Sequence, residues 1–243
     1  MSSGPAVSPA VRPRRVVTDR RGGRSVSPYD SFNLGDHVGD DPAAVAANRE
    51  RLAGAVGVPV GRLVWMTQVH GTGVAIVEDA DENPVADVDA LVTATPGLVL
   101  CVLAADCVPV LLADPVAGVV AAVHAGREGV RRGVVPAALA AMTRLGARPG
   151  DVEALLGPAV CGLDYEVPAA MQAEVARVAP ASGVRTRQGT PGLDLRAGIA
   201  EVLRGAGVRQ VVHDPRCTVE DPRLFSHRRD GVTGRQAGVV WLG

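Results

Sequence analysis

Two apolar runs near the middle of the chain end in side chains able to do chemistry. Residues 98–129 read LVLCVLAADCVPVLLADPVAGVVAAVHAGREG and contain Cys107 and His124. A thiol and an imidazole together make either a nucleophile with its base or two ligands of a soft divalent metal. Segments 98–103, 108–112 and 119–123 are short, rich in β-branched residues and bounded by Asp, Pro or Gly, which predicts buried strands rather than a helix.

Asp114 and Pro115 suit the first two positions of a type I turn, so the last two segments are expected to fold into an antiparallel hairpin about a two-residue loop. In that register Cys107 faces His124. Directly opposed Cβ atoms lie about 4.5–5.5 Å apart, close enough to share one metal ion or one proton. A loop one residue longer would turn one of the two side chains to the other face. After His124 the chain passes Gly126 into a predicted helix at 130–145, whose free backbone N–H groups suit an anion.

Other candidates flank this centre. His70 sits in Gln68-Val69-His70-Gly71, at the junction between a strand at 63–65 and the next at 74–77. Asn48 and Arg49 lie off the apolar stripe of a helix that Asp41 caps, Pro42 opens and Gly57 ends. Near the carboxyl end, Arg228, Arg229 and Arg235 surround a Gly turn beside His227, an arrangement able to grip an anion. The Gly-rich segment between 20 and 41 is too long for a simple connector, and such loops are commonly functional.

The elements that must position these groups alternate in type. Strands are expected at 16–18, 63–65, 74–77, 90–93, in the three central segments, and at 152–156, 208–212 and 239–242. Helices are expected at 42–56, 130–145, 168–178 and 195–205, the last capped by Asp194. With 243 residues and 47% hydrophobic side chains, the chain is long enough for one large domain or two small ones, and one is expected. Residues 1–13, rich in Ser and Pro, read as a disordered tail and 14–243 as that single domain.

Composition removes several function classes. The net charge is −1, with no long block of one sign, so neither nucleic acid nor a membrane surface is an expected partner. All 25 basic residues are Arg, which makes a single Arg weaker evidence of chosen bidentate chemistry than elsewhere. Cys101, Cys107, Cys161 and Cys217 form no CxxC pair, which argues against a zinc ribbon and a disulfide framework. No signal-peptide or membrane-spanning run is present, so a reducing cytoplasm is expected. Neither GxxxxGK[ST] nor HExxH occurs, which removes the commonest nucleotide and metalloprotease readings.

The ordered motifs NLGDHVGDDPAAVAANR, QVHG, AADC, VHAG and FSHRRDGVTGRQAG resemble the YfiH or laccase-domain family, also called multi-copper polyphenol oxidoreductases. The resemblance covers about residues 17–242. It implies an α+β fold, a single domain of stacked mixed sheets flanked by helices. It also implies a zinc ion held by His70, Cys107 and His124, and phosphorolysis of adenosine, inosine, guanosine and methylthioadenosine with adenosine deamination as companion. Purine nucleosides and phosphate are then the small-molecule partners, with Asn48, Arg49, Arg127, Arg228, Arg229 and Arg235 as substrate-binding candidates. Three N/S ligands would leave a fourth tetrahedral position for water or substrate.

This chain departs from the family pattern at two places. The family usually has Trp-Arg where Arg127-Glu128 stands, and Tyr where His227 stands. Unless Arg127 compensates, Glu128 is expected to repel phosphate and leave deamination stronger than phosphorolysis. Three alternatives remain open at this point. One is a cysteine hydrolase using Cys107 and His124, and another is copper-dependent oxidation of phenols by a His₂Cys site. The third is a scaffold without activity.

Overall fold

The computed structural model describes residues 12–243. The expected tail therefore lies outside the described residues apart from Arg12 and Pro13, and those two are ordered by pairing. Arg12 exchanges backbone hydrogen bonds with Gly243, and Pro13 already opens the first strand.

In chain order the first half contains β1 (Pro13–Val17), α1 (Pro42–Val56), β2 (Leu63–Val64), β3 (Val74–Ile76), β4 (Ala90–Thr93), β5 (Val99–Ala104), β6 (Val108–Asp114) and β7 (Val119–Ala125). The second half contains α2 (Arg127–Arg132), α3 (Val134–Arg144), β8 (Glu153–Leu156), α4 (Ala169–Ala176), β9 (Gly183–Arg185), β10 (Pro191–Leu193), α5 (Leu195–Gly205), β11 (Gln210–His213), α6 (His227–Asp230) and β12 (Gln236–Leu242).

A six-stranded mixed sheet, β11-β8-β6-β7-β4-β3, lies against a four-stranded one, β1-β12-β5-β2. Leu91, Leu111, Ala122, Leu100, Val102 and Val240 fill the space between them. Helices α3 and α5 cover the outer face of the large sheet on Val92, Val110, Leu112, Ala121 and Val123. Helix α1, with Phe32 and Leu34, covers the outer face of the small sheet on Val99, Cys101 and Val239. This is the α+β arrangement of stacked mixed sheets flanked by helices, in one domain.

Both faces of the central strands are covered, which is why β5, β6, β7 and β12 are buried throughout and read as continuous apolar runs without alternation. Helix α1 follows its sequence signals: Asp41 Oδ1 accepts from Ala43 N, and Gly57 ends the helix in the left-handed region. The helix expected at 130–145 is two helices, because it starts three residues earlier and breaks at Gly133. The short β9–β10 pair has no counterpart among the expected strands; each is only three residues long, too short for a periodic signal.

The hairpin register also needs correction. Asp114 pairs with Val119, so the loop has four residues rather than two. Asp114 Oδ1 accepts from both Val116 N and Ala117 N at 2.8 Å, and Gly118 closes the loop at φ +64. His124 consequently faces Pro109, and Cys107 lies just before β6, diagonal to it. A loop two residues longer than expected preserves the alternation, so Cys107 and His124 still point to the same face. That face is the one turned toward the small sheet.

Candidate metal centre and cavity

His70, Cys107 and His124 bring one ligand atom each to within 4.8 Å of one another. His70 Nε2 stands 3.8 Å from Cys107 Sγ, and the two imidazoles meet edge to face with centroids 4.7 Å apart. A strand end supplies His124, the β5–β6 turn supplies Cys107, and the β2–β3 loop supplies His70.

Asp89, fully buried at the start of β4, organises two of the three. One oxygen accepts from His124 Nδ1 at 2.8 Å and from His70 N at 3.0 Å, and the other from Gly71 N at 2.6 Å. With Nδ1 committed, Nε2 is the nitrogen His124 has left for a ligand role. Two backbone positions are held in the left-handed region, His70 at φ +58 and Asp106 at φ +100. Such conformations persist in non-Gly residues only where surrounding bonds impose them, and they cluster at functional sites.

Gly126 forms the floor beneath the cluster. A Cβ there would stand 2.9 Å from both Cys107 Sγ and His70 Cδ2, so a larger residue crowds two ligands at once and at least one must shift. Burial alone would push the Cys107 thiol up, yet the adjacent His124 and His70 outweigh it and hold the thiol below its usual value. The same burial would pull His124 down, and Cys107 and Asp89 together hold it above the ordinary imidazole value instead. A thiolate beside an imidazolium is what two protonatable ligands form when only each other's charge is available; a cation takes over that role.

The donor set suits zinc: two imidazole nitrogens and one thiolate, with no hard oxygen among them. A copper site of the blue type would want a weak axial Met. Met66 and Met142 are buried in the two main cores and Met171 packs against one of them, so no described Met reaches the cavity wall.

The cluster opens into a cavity of about 640 Å³, within the usual range of about 300–1,000 Å³ for small-molecule sites. Arg127, Arg228 and Arg235 line it with His37 and His227, and Tyr165, Val160 and Leu195 add an apolar wall. The Arg228 guanidinium lies 4.7 Å over the Tyr165 ring. Asp106, next to Cys107, accepts from Thr218 Oγ1 at 2.6 Å, Ser226 Oγ at 2.7 Å and Arg228 N at 2.7 Å, tying the arginine-bearing turn to the cysteine. Burial lowers the Arg235 guanidinium below its usual value, against the opposing pull of Cys107 and Asp106.

Three of the substrate-binding candidates lie elsewhere. Asn48 is fully buried under the Gly-rich loop, where its Nδ2 donates to Asn33 O at 2.8 Å and Ser25 Oγ at 3.0 Å and its Oδ1 accepts from Arg24 N. Arg49 grips Leu34 O and Asp36 and stacks 4.2 Å over Trp65. Arg229 donates to Thr218 O and Leu224 O, each at 2.8 Å, and pairs with Asp230. All three hold loops that shape the region, and none lines the cavity.

The structure turns Glu128 toward two arginines. Glu128 pairs with Arg131 and with Arg127 and is not part of the cavity wall, whereas Arg127 is. An aromatic surface is still present, supplied by Tyr165 from another loop. Asp89, Asp106 and Tyr165 escaped the sequence reading. Asp89 and Asp106 sit directly beside recognised motifs, at a strand start and inside AADC, which was the available signal.

The fold and site place the chain in a recognisable class. It belongs to the multi-copper polyphenol oxidoreductase laccase family, matched over residues 14–243. It is 61% identical to the purine nucleoside phosphorylase of Mycobacterium tuberculosis over 233 residues, 96% of this chain and 93% of that one. Among solved structures, YlmD from Geobacillus stearothermophilus superposes with a TM-score of 0.90 at 33% identity, covering 97% of this chain and 94% of the other. The hypothetical protein YfiH of Bacillus licheniformis does so with a TM-score of 0.90 at 29% identity, over 95% and 93%. No helix among the described residues is long and apolar enough to cross a membrane.

Proposed function

We propose that the cavity is the active site of a zinc-dependent purine nucleoside phosphorylase. It accepts adenosine, inosine, guanosine and methylthioadenosine, and also deaminates adenosine. The observation that carries this reading is the opening of a His₂Cys cluster and three arginines into one cavity large enough for a nucleoside and phosphate. The 61% identical relative named purine nucleoside phosphorylase supports it.

In this reading His70, Cys107 and His124 would hold zinc, which when bound would supply a Lewis acid and activate water. Arg127, Arg228 and Arg235 hold the phosphate dianion, Arg228 with its backbone fixed by Asp106 and Arg235 with its guanidinium largely desolvated. Desolvation strengthens the attraction between a guanidinium and an anion. Tyr165 and Leu195 give the purine an apolar contact. A phosphate oxygen forms the bond to C1′ as the C1′–N9 bond breaks, and the purine leaves with the bonding pair and takes up a proton. In deamination, water adds at purine C6 and ammonia departs.

The convergence of His70 on the same point favours a metal site over a cysteine hydrolase, which needs only one imidazole beside the thiol. The deciding experiment is product analysis on adenosine over a range of phosphate concentrations. Adenine and ribose 1-phosphate in equal amounts, saturating with phosphate, are expected beside a smaller phosphate-independent yield of inosine. Inosine alone would reduce the enzyme to a deaminase, and no conversion of any of the four nucleosides would remove the proposal.

A further inference from the structure

We propose that Cys161, Asp164, Cys217 and Glu220 form a second, closed metal site that takes zinc or another thiophilic divalent cation and joins two loops of the fold. The reading is independent of the function proposed for the main cavity. It begins with spacing: Cys161-Gly162-Leu163-Asp164 and Cys217-Thr218-Val219-Glu220 are two C-x₂-acid half-sites in the pattern of a zinc ribbon, with a carboxylate replacing the second Cys of each. One half-site follows β8 and the other follows β11, so the neighbouring parallel strands deliver them to the same place.

The four ligand atoms lie within 4.8 Å of one another, two thiol sulfurs and two carboxylate oxygens. That is a complete set of four, the mark of a structural rather than a catalytic zinc site. Both thiols converge on a single oxygen: Asp164 Oδ2 is 3.1 Å from Cys161 Sγ and 3.5 Å from Cys217 Sγ. Its other oxygen, Oδ1, accepts from Arg187 Nε at 3.1 Å, so Arg187 turns Oδ2 toward the sulfurs. Arg187 also pairs with Glu220, placing one positive charge behind both carboxylates. A carboxylate oriented from behind in this way is a usual support of a metal ligand.

Without a cation the group is poorly matched. Two thiols and two carboxylates crowd together there, and Arg187 is the positive charge that faces both acids. A divalent cation reverses that balance: it binds two thiolates and two carboxylates, and two thiol protons leave to solvent.

The site would pin the two loops where they already touch. Thr218 N donates to Ala159 O at 3.1 Å and Cys161 N to Cys217 Sγ at 3.2 Å. Those loops also carry Val160 N, which donates to Asp106 O, and Thr218 Oγ1, which donates to Asp106 Oδ1. Occupancy is therefore expected to raise stability first and to influence turnover only through Asp106.

The test is metal stoichiometry on the full chain, stripped with chelator under reductant and dialysed against micromolar zinc. Two zinc ions per chain are expected for the unaltered protein, one for Cys107→Ser and one for Cys161→Ser/Cys217→Ser. Cobalt added to Cys107→Ser should give a near-ultraviolet thiolate charge-transfer band that disappears when the other two cysteines are also changed. Should the double serine variant fail to fold, Glu220→Gln, which removes a ligand, and Arg187→Ala, which removes the support behind both carboxylates, keep both thiols and should each weaken zinc binding by at least the about 10- to 100-fold that loss of a supporting group brings. Cys107→Ser protein that takes up no zinc and shows no cobalt band would overturn the proposal. So would a Cys161–Cys217 disulfide, seen as a mass lower by about 2 Da, in protein that never binds a second ion, or unchanged affinity in both single variants.

Discussion

Replacing Gly126 with Ala adds one methyl group at the floor of the metal cluster. The backbone there, at φ −77 and ψ 171, is open to any residue, so the substitution brings no conformational strain. Its effect is steric: the new Cβ would stand 2.9 Å from Cys107 Sγ and 2.9 Å from His70 Cδ2, about half an ångström inside ordinary contact at each. Metal–ligand distances tolerate about 0.2 Å, so at least one ligand must leave its position. Zinc affinity should fall by about 10- to 100-fold, or about 1.4–2.8 kcal/mol. The N-cap change itself should cost under about 1 kcal/mol of fold stability. The assay is competition with a chromophoric chelator in the Cys161→Ser/Cys217→Ser background, alongside a thermal melt of the metal-free protein. Unchanged zinc affinity would refute the geometry, and so would a loss of affinity explained by general unfolding in the melt.

Other expectations follow from the same contacts. Glu128→Gln should leave the phosphate dependence of turnover within about twofold, because Glu128 is committed to Arg131 and lies off the cavity wall; a marked fall in the phosphate KM would show that its charge is felt after all. Tyr165→Ala should raise the nucleoside KM by about tenfold, as loss of a base-stacking contact worth about 1–3 kcal/mol implies, with zinc content unchanged; loss of zinc instead would make Tyr165 a structural support. The bond from Arg223 holds Asp221 down at about 2 against burial, which opposes it. A depressed carboxylate contributes stability above its unfolded value near 3.8 and loses it as the pH falls toward 2. Asp221→Asn should therefore lower the melting temperature at pH 7 by a few degrees, with the gap closing between pH 4 and pH 2; a gap independent of pH would contradict the assignment.

Much of this architecture was legible in the sequence where one physical rule acted alone. The central strands are buried on both faces, so continuous β-branched runs marked them. Helix α1 carried its own Asp41 cap, Pro42 start and Gly57 stop. The hairpin register was less legible, because Asp114-Pro115 signals a turn without stating its length, and Gly118 extended the loop by two residues. The metal cluster survived that error only because the extension was even. Arginines were the hardest to read. With every basic residue an Arg, nothing in the types separated Arg127, Arg228 and Arg235, which reach the cavity, from Arg49 and Arg229, which hold loop carbonyls. Asp89 and Asp106 act through hydrogen bonds to groups 35 and up to 122 residues away, a relation that no local pattern carries.

The most direct test of the central proposal is reconstitution of chelator-stripped Cys161→Ser/Cys217→Ser protein with zinc, following hypoxanthine release from inosine in saturating phosphate. Release should rise in proportion to added zinc and level off at one ion per chain, and Cys107→Ser in the same background should stay inactive at every zinc level. Full phosphorolysis by the metal-free protein, or activity in the Cys107→Ser protein, would contradict a metal-dependent site built on His70, Cys107 and His124.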